Sequence, residues 1–322
     1  MLASDSRIAS PATETELCPL CGAHESDPFS IAPDRFHGRQ ELYQLRRCNS
    51  CQGVWLTKPP RPEEMDRHYD QAYHRKIRKA GETAAERRWS RHRDAITQQK
   101  SSGAILDIGC SSGAFLSTLD AKAWSLHGIE MDSGTGEIAR SATGADVFIG
   151  DVASAPFSDD SFDVVTCFDI LEHVYDPQQF LEKVHGWLKP NGFLYVVLPN
   201  IDSWEARLFG SYWYGLELPR HLFHFSPVSL RRLMKAKSFE EVRFLTHASY
   251  AERSLGYLHR AGVEMLGFSP APLSGETPAP SFAWRAIRKL FRITFISPFA
   301  WIAAQAGAGP SMEALFVKRP RG

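Results

Sequence analysis

Residues 104–113, Ala-Ile-Leu-Asp-Ile-Gly-Cys-Ser-Ser-Gly, constrain this chain more than any other stretch. Ala104 to Ile108 is a short aliphatic run of the kind that forms a strand buried in a parallel sheet. It ends at a turn carrying Gly109 and Gly113, and a helix is expected over Ala114 to Asp120. Leu126 to Glu130 reads as the next strand and closes on a carboxylate. A strand, a glycine turn, a helix and a second strand with a terminal acid make half of a nucleotide-cofactor fold.

The spacing narrows the cofactor. A dinucleotide fold wants Gly-x-Gly-x-x-Gly, so that a helix N-terminus can cradle a pyrophosphate. Here the pattern is Asp107-x-Gly109-x-x-x-Gly113, with an acid on the strand end and no third glycine at that offset. An acid beside the turn repels a pyrophosphate and suits a cationic, phosphate-free cofactor. On these residues the chain resembles the class I S-adenosylmethionine-dependent methyltransferases, whose first motif has the form Asp-x-Gly-x-x-x-Gly.

Further motifs carry the resemblance through residues 102–200. It implies that Glu130 accepts hydrogen bonds from the ribose hydroxyls. It implies that Asp151, in Ile149-Gly150-Asp151-Val152, holds the adenine edge. Cys110, Val152 and Phe168 complete the expected cofactor contacts. Pro156 to Val165 matches the run into the family's fourth strand. Cys167-Phe168-Asp169-Ile170-Leu171-Glu172-His173-Val174 matches the motif bordering the methyl-transfer site, with His173 expected to start a helix. Lys189-Pro190-Asn191-Gly192 is a turn before a fifth strand, Phe193 to Leu198. The implied fold is α/β: a Rossmann-like seven-stranded methyltransferase sheet with helices on both faces. Glu241 to His247 and Met312 to Lys318 would supply its antiparallel edge pair.

Cysteines define a second module. Cys18-Pro-Leu-Cys21 and Cys48-Asn-Ser-Cys51 are two Cys-x-x-Cys knuckles at zinc-ribbon spacing. Four thiolates leave a zinc ion no open position, so the metal's expected role is structural. Gly22 and Gly53 follow the knuckles and permit tight turns, while Phe36 to Arg47 reads as the hairpin, packed by Val54-Trp55-Leu56. Cys110 and Cys167 read as small core or turn residues.

The expected layout is a disordered tail (1–15), a zinc-ribbon module (16–57) and a helical linker or cap (58–100). The methyltransferase core (101–250), a helical insertion (251–310) and the last strand with its tail (311–322) follow. Tyr69 and Tyr73 on the cap read either as cofactor or substrate contacts or as a packing stripe. The formal net charge of zero gives no global case for a nucleic-acid partner. With no apolar leader in Met1 to Glu16, the expected location is cytoplasmic. Residues 282–304 form a basic amphipathic stretch, suited to an anionic membrane surface, to packing on its own domain or to packing on a second subunit. Oligomeric state is left open.

Residues 212–225 carry the acceptor-side candidates. His221 has the acid–base range for a general base; the other reading is that His221 and His224 only hydrogen-bond the loop into place. His224 is a second candidate, Arg220 a candidate anion holder, and Asp169 a candidate lining residue of the transfer site. A second metal site is not expected, because no acid or thiol completes a ligand set at a usual spacing. A zinc ribbon in front resembles some deoxysugar C-methyltransferases. Those carry a further C-terminal domain not seen in these residues, which points away from C-methylation of a nucleotide sugar. The expected activity is methylation, at oxygen, of a small hydroxylated acceptor such as a sugar or a lipid-linked glycan intermediate. The alternative is a non-catalytic zinc-ribbon adaptor that keeps the fold for binding.

Overall fold

The computed structural model describes residues 17–69, 85–247, 254–259, 290, 294 and 297–320. The expected tail, Tyr73 and most of the 251–310 insertion lie outside the described residues. Of the 282–304 stretch, Leu290, Thr294 and 297–304 are described. The Ser297–Gln305 helix exposes Phe299, Trp301 and Ile302. Among the described residues, no helix is long and apolar enough to cross a membrane.

The large sheet contains β4 (Gly103–Ile108), β5 (Trp124–Glu130), β6 (Asp146–Ile149), β7 (Phe162–Phe168), β8 (Leu188–Pro199), β10 (Phe239–His247) and β11 (Ser311–Lys318). Its order is β10-β11-β8-β7-β4-β5-β6. The five strands from β8 to β6 run parallel, whereas β11 pairs antiparallel with both β8 and β10. This is the seven-stranded sheet that the motif order implies. Parallel neighbours need crossovers, and helices Ser133–Thr143 and Pro177–Trp187 supply two of them. The chain builds outward from β4 through β5 to β6, then returns to place β7 on the other side of β4. That reversal opens a crevice beyond the strands' carboxyl ends, where such folds bind ligands.

Two local expectations change. After β4 there is a 3-10 turn, Leu116–Thr118, in place of a helix over 114–120. The Ser117 and Thr118 hydroxyls donate to the carbonyls of Ala114 and Phe115, at 2.9 and 2.7 Å, and such local bonds compete with a helical ladder. His173 does not begin a helix either. The helix starts at Pro177, because the Asp176 side chain accepts from the N–H groups of Gln178 and Gln179 and Pro177 fits the first turn. Helix Pro227–Ala236 is capped by Ser226, whose side chain accepts from Ser229 N, and Pro227 stands in its first turn.

The small sheet has the order β1-β2-β3-β9, with β1 (Ser26–Pro33), β2 (Leu42–Cys48), β3 (Val54–Leu56) and β9 (Phe223–His224). Its hairpin begins ten residues earlier than expected, and Phe36 lies in the connection rather than on a strand. Asp34 turns the chain there: its Oδ1 accepts from the N–H groups of Phe36 and His37. The fourth strand comes from the distant acceptor-side segment, with Val54 opposite His224 and Trp55 opposite Phe223. Leu20, Leu45, Val54 and Trp55 share one continuous apolar core with Leu230 and Leu233 of the 227–236 helix. The cysteine module is therefore packed onto the segment that carries His221.

Candidate active site

The cofactor-side residues converge at the carboxyl ends of β4 and β5. Gly109 has φ +73°, and a Cβ there would meet Ile170 Cδ1 at 2.3 Å; only glycine takes this turn without strain. The N–H groups of Gly109 and Cys110 donate to Ile129 O. Glu130 is fixed at both oxygens: Oε2 accepts from Ser111 N at 2.9 Å and Oε1 from Asp132 N at 2.9 Å. Gly113, at φ +78°, faces Thr143 and Ala139 so closely that a side chain would not fit.

Asp107 lies beneath the turn, 2% exposed, and accepts from Thr166 Oγ1 at 2.7 Å. Burial pushes its carboxyl up to about 7; Thr166 opposes this and the Glu130 charge adds to it. Cys110 is buried with its sulfur against Gly128, and burial raises its thiol. Asp151 is exposed after β6 and caps its own turn through Ser154 N. Val152 packs half-buried on the core. Phe168 sits among Trp89, His92 and Phe115. Asp169 has φ +55° and pairs with Arg88 at 3.0 Å, so helix Ala85–Thr97 lies across the end of β7.

The acceptor-side candidates are more deeply placed than their sequence suggests. His221 is 4% exposed. Its Nδ1 lies 2.9 Å from Gly215 O. A carbonyl can only accept, so Nδ1 carries the proton and Nε2 the lone pair. Burial, then the neighbouring His173 and His224, hold its pKa well below the usual histidine range. His224 donates from Nε2 to Leu216 O at 2.9 Å, and burial lowers it to about 4. Arg220 is fully buried between two carboxylates, 3.5 Å from Asp34 Oδ2 and 3.3 Å from Glu217 Oε1. Its guanidinium stacks on Phe36. These contacts tie the cysteine module to the acceptor-side segment and leave Arg220 buried away from solvent.

His173 joins this group from the β7 side. Its Nδ1 is 2.9 Å from the Tyr69 hydroxyl and 3.0 Å from Arg220 O. Its ring meets that of His221 edge-on at 4.6 Å. Glu172 lies beside both, 1% exposed, and neither carboxylate oxygen has a hydrogen-bond partner among the described residues. The sequence reading did not single out Glu172, Arg88 or Asp34. Glu172 and His173 were visible as a Glu-His pair after the fourth strand; their junction with His221 depends on folding across 48 positions.

The four cysteines of the knuckles also converge. Cys18 and Cys51 sulfurs are 3.7 Å apart, and those of Cys21 and Cys48 are 3.6 Å apart. Tetrahedral zinc–thiolate bonds of about 2.3 Å place sulfurs about 3.8 Å apart, so the donor set fits zinc. The N–H groups of Cys51 and Gly53 point at sulfurs of Cys48 and Cys51. Gly22 takes a positive φ as expected, but after the second knuckle Gln52 does so, at +63°. Gly53 is required by close approach instead: a Cβ would lie 2.4 Å from Leu20 Cδ1.

A family model described as a methyltransferase domain matches residues 73–243, just over half of the 322-residue chain. A probable S-adenosylmethionine-dependent methyltransferase of Mycolicibacterium smegmatis is 27% identical over 191 residues, covering 57% of this chain and 67% of that protein. A ubiquinone biosynthesis O-methyltransferase of Shewanella is 30% identical over 115 residues, covering 33% of this chain and 49% of that protein. The chain thus spans about half to two thirds of the length of these curated relatives. A crystal structure of an S-adenosylmethionine-dependent methyltransferase from Archaeoglobus fulgidus superposes with a TM-score of 0.49. It has 17% identity and covers 76% of this chain and all (100%) of that one.

Proposed function

The chain belongs to the S-adenosylmethionine-dependent methyltransferases, and from that premise we propose that it methylates an oxygen of a small hydroxylated acceptor. The observation that carries the reading is the meeting of two half-sites. Glu130, Asp107 and the Gly109 turn form the cofactor cradle, and the Glu172–His173–His221 group stands at the end of the neighbouring strand. Glu130 would take the ribose hydroxyls and Asp151 the adenine edge. Asp107 would supply negative charge beneath a cofactor that carries a sulfonium and an ammonium.

Methyl transfer is an in-line displacement. An oxygen lone pair attacks the methyl carbon, the carbon–sulfur bond breaks toward sulfur, and neutral S-adenosylhomocysteine leaves. The acceptor must also lose its hydroxyl proton. His221, with His173 beside it, is the candidate base through its Nε2 lone pair, with Glu217 Oε2 3.8 Å away to stabilise the imidazolium; burial makes these rings and His224 weaker bases than a free imidazole. Asp169 would line the transfer site from the cofactor side. Arg220 would act by positioning, holding the His221 segment against Asp34 and Glu217. The ubiquinone O-methyltransferases among the relatives support an oxygen acceptor; a sugar or lipid-linked glycan intermediate fits the same chemistry.

The cysteine set would hold structural zinc. Through β3 and β9 the zinc would also brace the acceptor-side segment. The test is transfer of labelled methyl from S-adenosylmethionine to a panel of phenolic, sugar and amine acceptors. Label on a hydroxyl compound, lost in His173→Gln with S-adenosylhomocysteine affinity retained, is expected. Label on amines alone would overturn the oxygen assignment.

A further inference from the structure

We infer that Glu172, His173 and His221 form a binding site for one first-row divalent cation, distinct from the four-cysteine site. The inference rests on the methyltransferase reading for its role but not for its existence. Ligand atoms of the three side chains lie within 4.8 Å of one another. A cation with bonds of about 2.1 Å spans such a group after a sub-ångström closure.

The donor chemistry is specific. His221 turns Nδ1–H to Gly215 O at 2.9 Å, and His173 turns Nδ1 to Arg220 O at 3.0 Å. Each ring therefore keeps a lone pair on Nε2. Metal-bound histidines have this arrangement, with the second nitrogen donating to a carbonyl that fixes tautomer and ring. Glu172 would supply the charge on giving up its proton to the cation; with no cation present, burial and then the Asp169 and Glu217 charges push its carboxyl well above the usual range. A buried carboxylate without hydrogen bonds is costly, and both Glu172 oxygens lack a partner among the described residues. A cation coordinated by that carboxylate removes the anomaly. Glu217 Oε2, 3.8 Å from His221 Nε2, adds a second negative charge beside the site.

A nearby cluster shows the contrast. Asp34, His37 and His68 also lie within ligand range of one another. There the carboxylate is satisfied: Oδ1 accepts two backbone N–H groups, while Oδ2 meets both histidines and Arg220. Arg39 stands 3.3 Å from His68 Nδ1 as well. Positive charge already fills that site, whereas among the described residues none pairs with Glu172.

Two imidazoles and one carboxylate suit zinc, iron(II) or manganese(II) and leave coordination positions for a small ligand. His173 is the half-buried member and the other two are buried, so an open position would lie on the His173 side. A hydroxyl oxygen bound there would be acidified: with the cation bound, His173 and His221 serve as ligands in place of the base role given above, the hydroxyl proton would pass to water, and the oxygen would attack the methyl group as S-adenosylhomocysteine leaves.

The test counts metal. Wild type and Glu172→Gln are equilibrated with cobalt(II), freed of unbound metal, and analysed for metal per chain and for visible spectrum. Wild type is expected to hold two equivalents, one with intense thiolate charge-transfer bands and one without. Glu172→Gln should hold one, with the thiolate bands unchanged. His173→Gln, changed at the more exposed ligand, should weaken the second equivalent by at least about tenfold. One equivalent in wild type, or two with equal affinity in all three proteins, overturns the inference. S-adenosylhomocysteine titration of the same samples reports separately on the methyltransferase reading and on folding.

Discussion

Replacing Asp107 by Asn should make the cofactor-free protein more stable and bind its cofactor less well. The side chain is 2% exposed and its carboxyl is pushed up to about 7, from an ordinary 3.8, mainly by burial. The unfolded chain releases this proton near pH 4, while the folded chain keeps it to about pH 7. Between those values the folded state binds more protons, so stability falls as pH rises. A gap of about three pH units, at about 1.36 kcal/mol each, sets an order-of-magnitude cost near 4 kcal/mol above pH 7. Asn has no such proton, and its side-chain oxygen can still accept from Thr166 Oγ1. Asp107→Asn should match wild type near pH 4 and gain progressively toward pH 8. At about 2 °C per kcal/mol for a chain of this size, the Tm gap should approach about 8 °C at most. Thermal melts at half-unit pH intervals measure it. Loss of the charge under the cationic cofactor should weaken binding by about tenfold or more, read by calorimetry at pH 8. Parallel Tm–pH curves for the two proteins would refute the argument, because they would mean that Asp107 ionises alike in both states.

Glu130→Ala removes the acceptor of two backbone N–H groups and the proposed ribose ligand; calorimetry with S-adenosylhomocysteine should show a loss of about 2 kcal/mol or more. Gly109→Ala forces a side chain onto a positive-φ position against Ile170 and should cost about 1–3 kcal/mol in denaturant unfolding. An unfolding midpoint equal to wild type would mean that the turn relaxes freely. Cys48→Ser removes one ligand of a set whose zinc, where structural, contributes roughly 10–16 kcal/mol in small zinc domains. It should release zinc, lower the Tm and perturb the fluorescence of Trp55 and Trp213, whereas retained metal with an unchanged Tm would count against the zinc reading. Trp55→Ala, at a buried position opposite Phe223, should cost about 3–5 kcal/mol in the same assay.

The large sheet was legible because each of its strands carries its own local signal. Ala104 to Ile108, Leu126 to Glu130 and Phe193 to Leu198 are apolar runs ending at turns, and parallel strands buried on both faces leave that mark. The placement of Asp107, Glu130 and Asp151 was legible for a related reason: each stands at a strand's carboxyl end, so the order of strands fixes where it goes. Misread elements have local causes. Ser117 and Thr118 bond their own turn and shorten an expected helix. Asp176-Pro177 caps a helix four residues after His173, and the Asp34 turn moves the hairpin. The acceptor side was least legible. His221 and Arg220 read as exposed chemistry in a loop, and their burial comes from strand β9 joining the cysteine module's sheet. No periodicity announces a two-residue strand whose partner lies about 170 positions away.

The sequence by itself determined the sheet, its topological switch and the strand-end positions of Asp107, Glu130 and Asp151, since period, turn chemistry and motif order are properties of neighbouring residues. It also determined that each knuckle brings two thiols together, whereas the meeting of the knuckles, Cys18 with Cys51 and Cys21 with Cys48, came with the fold. Only the tertiary structure decided that Glu172, His173 and His221 share one buried space, and that Arg220 lies between Asp34 and Glu217. Those relations join segments from three parts of the chain. Their energetics, a carboxyl with no hydrogen-bond partner among the described residues and a neutralised guanidinium, arise from desolvation, which exists only once the chain has packed.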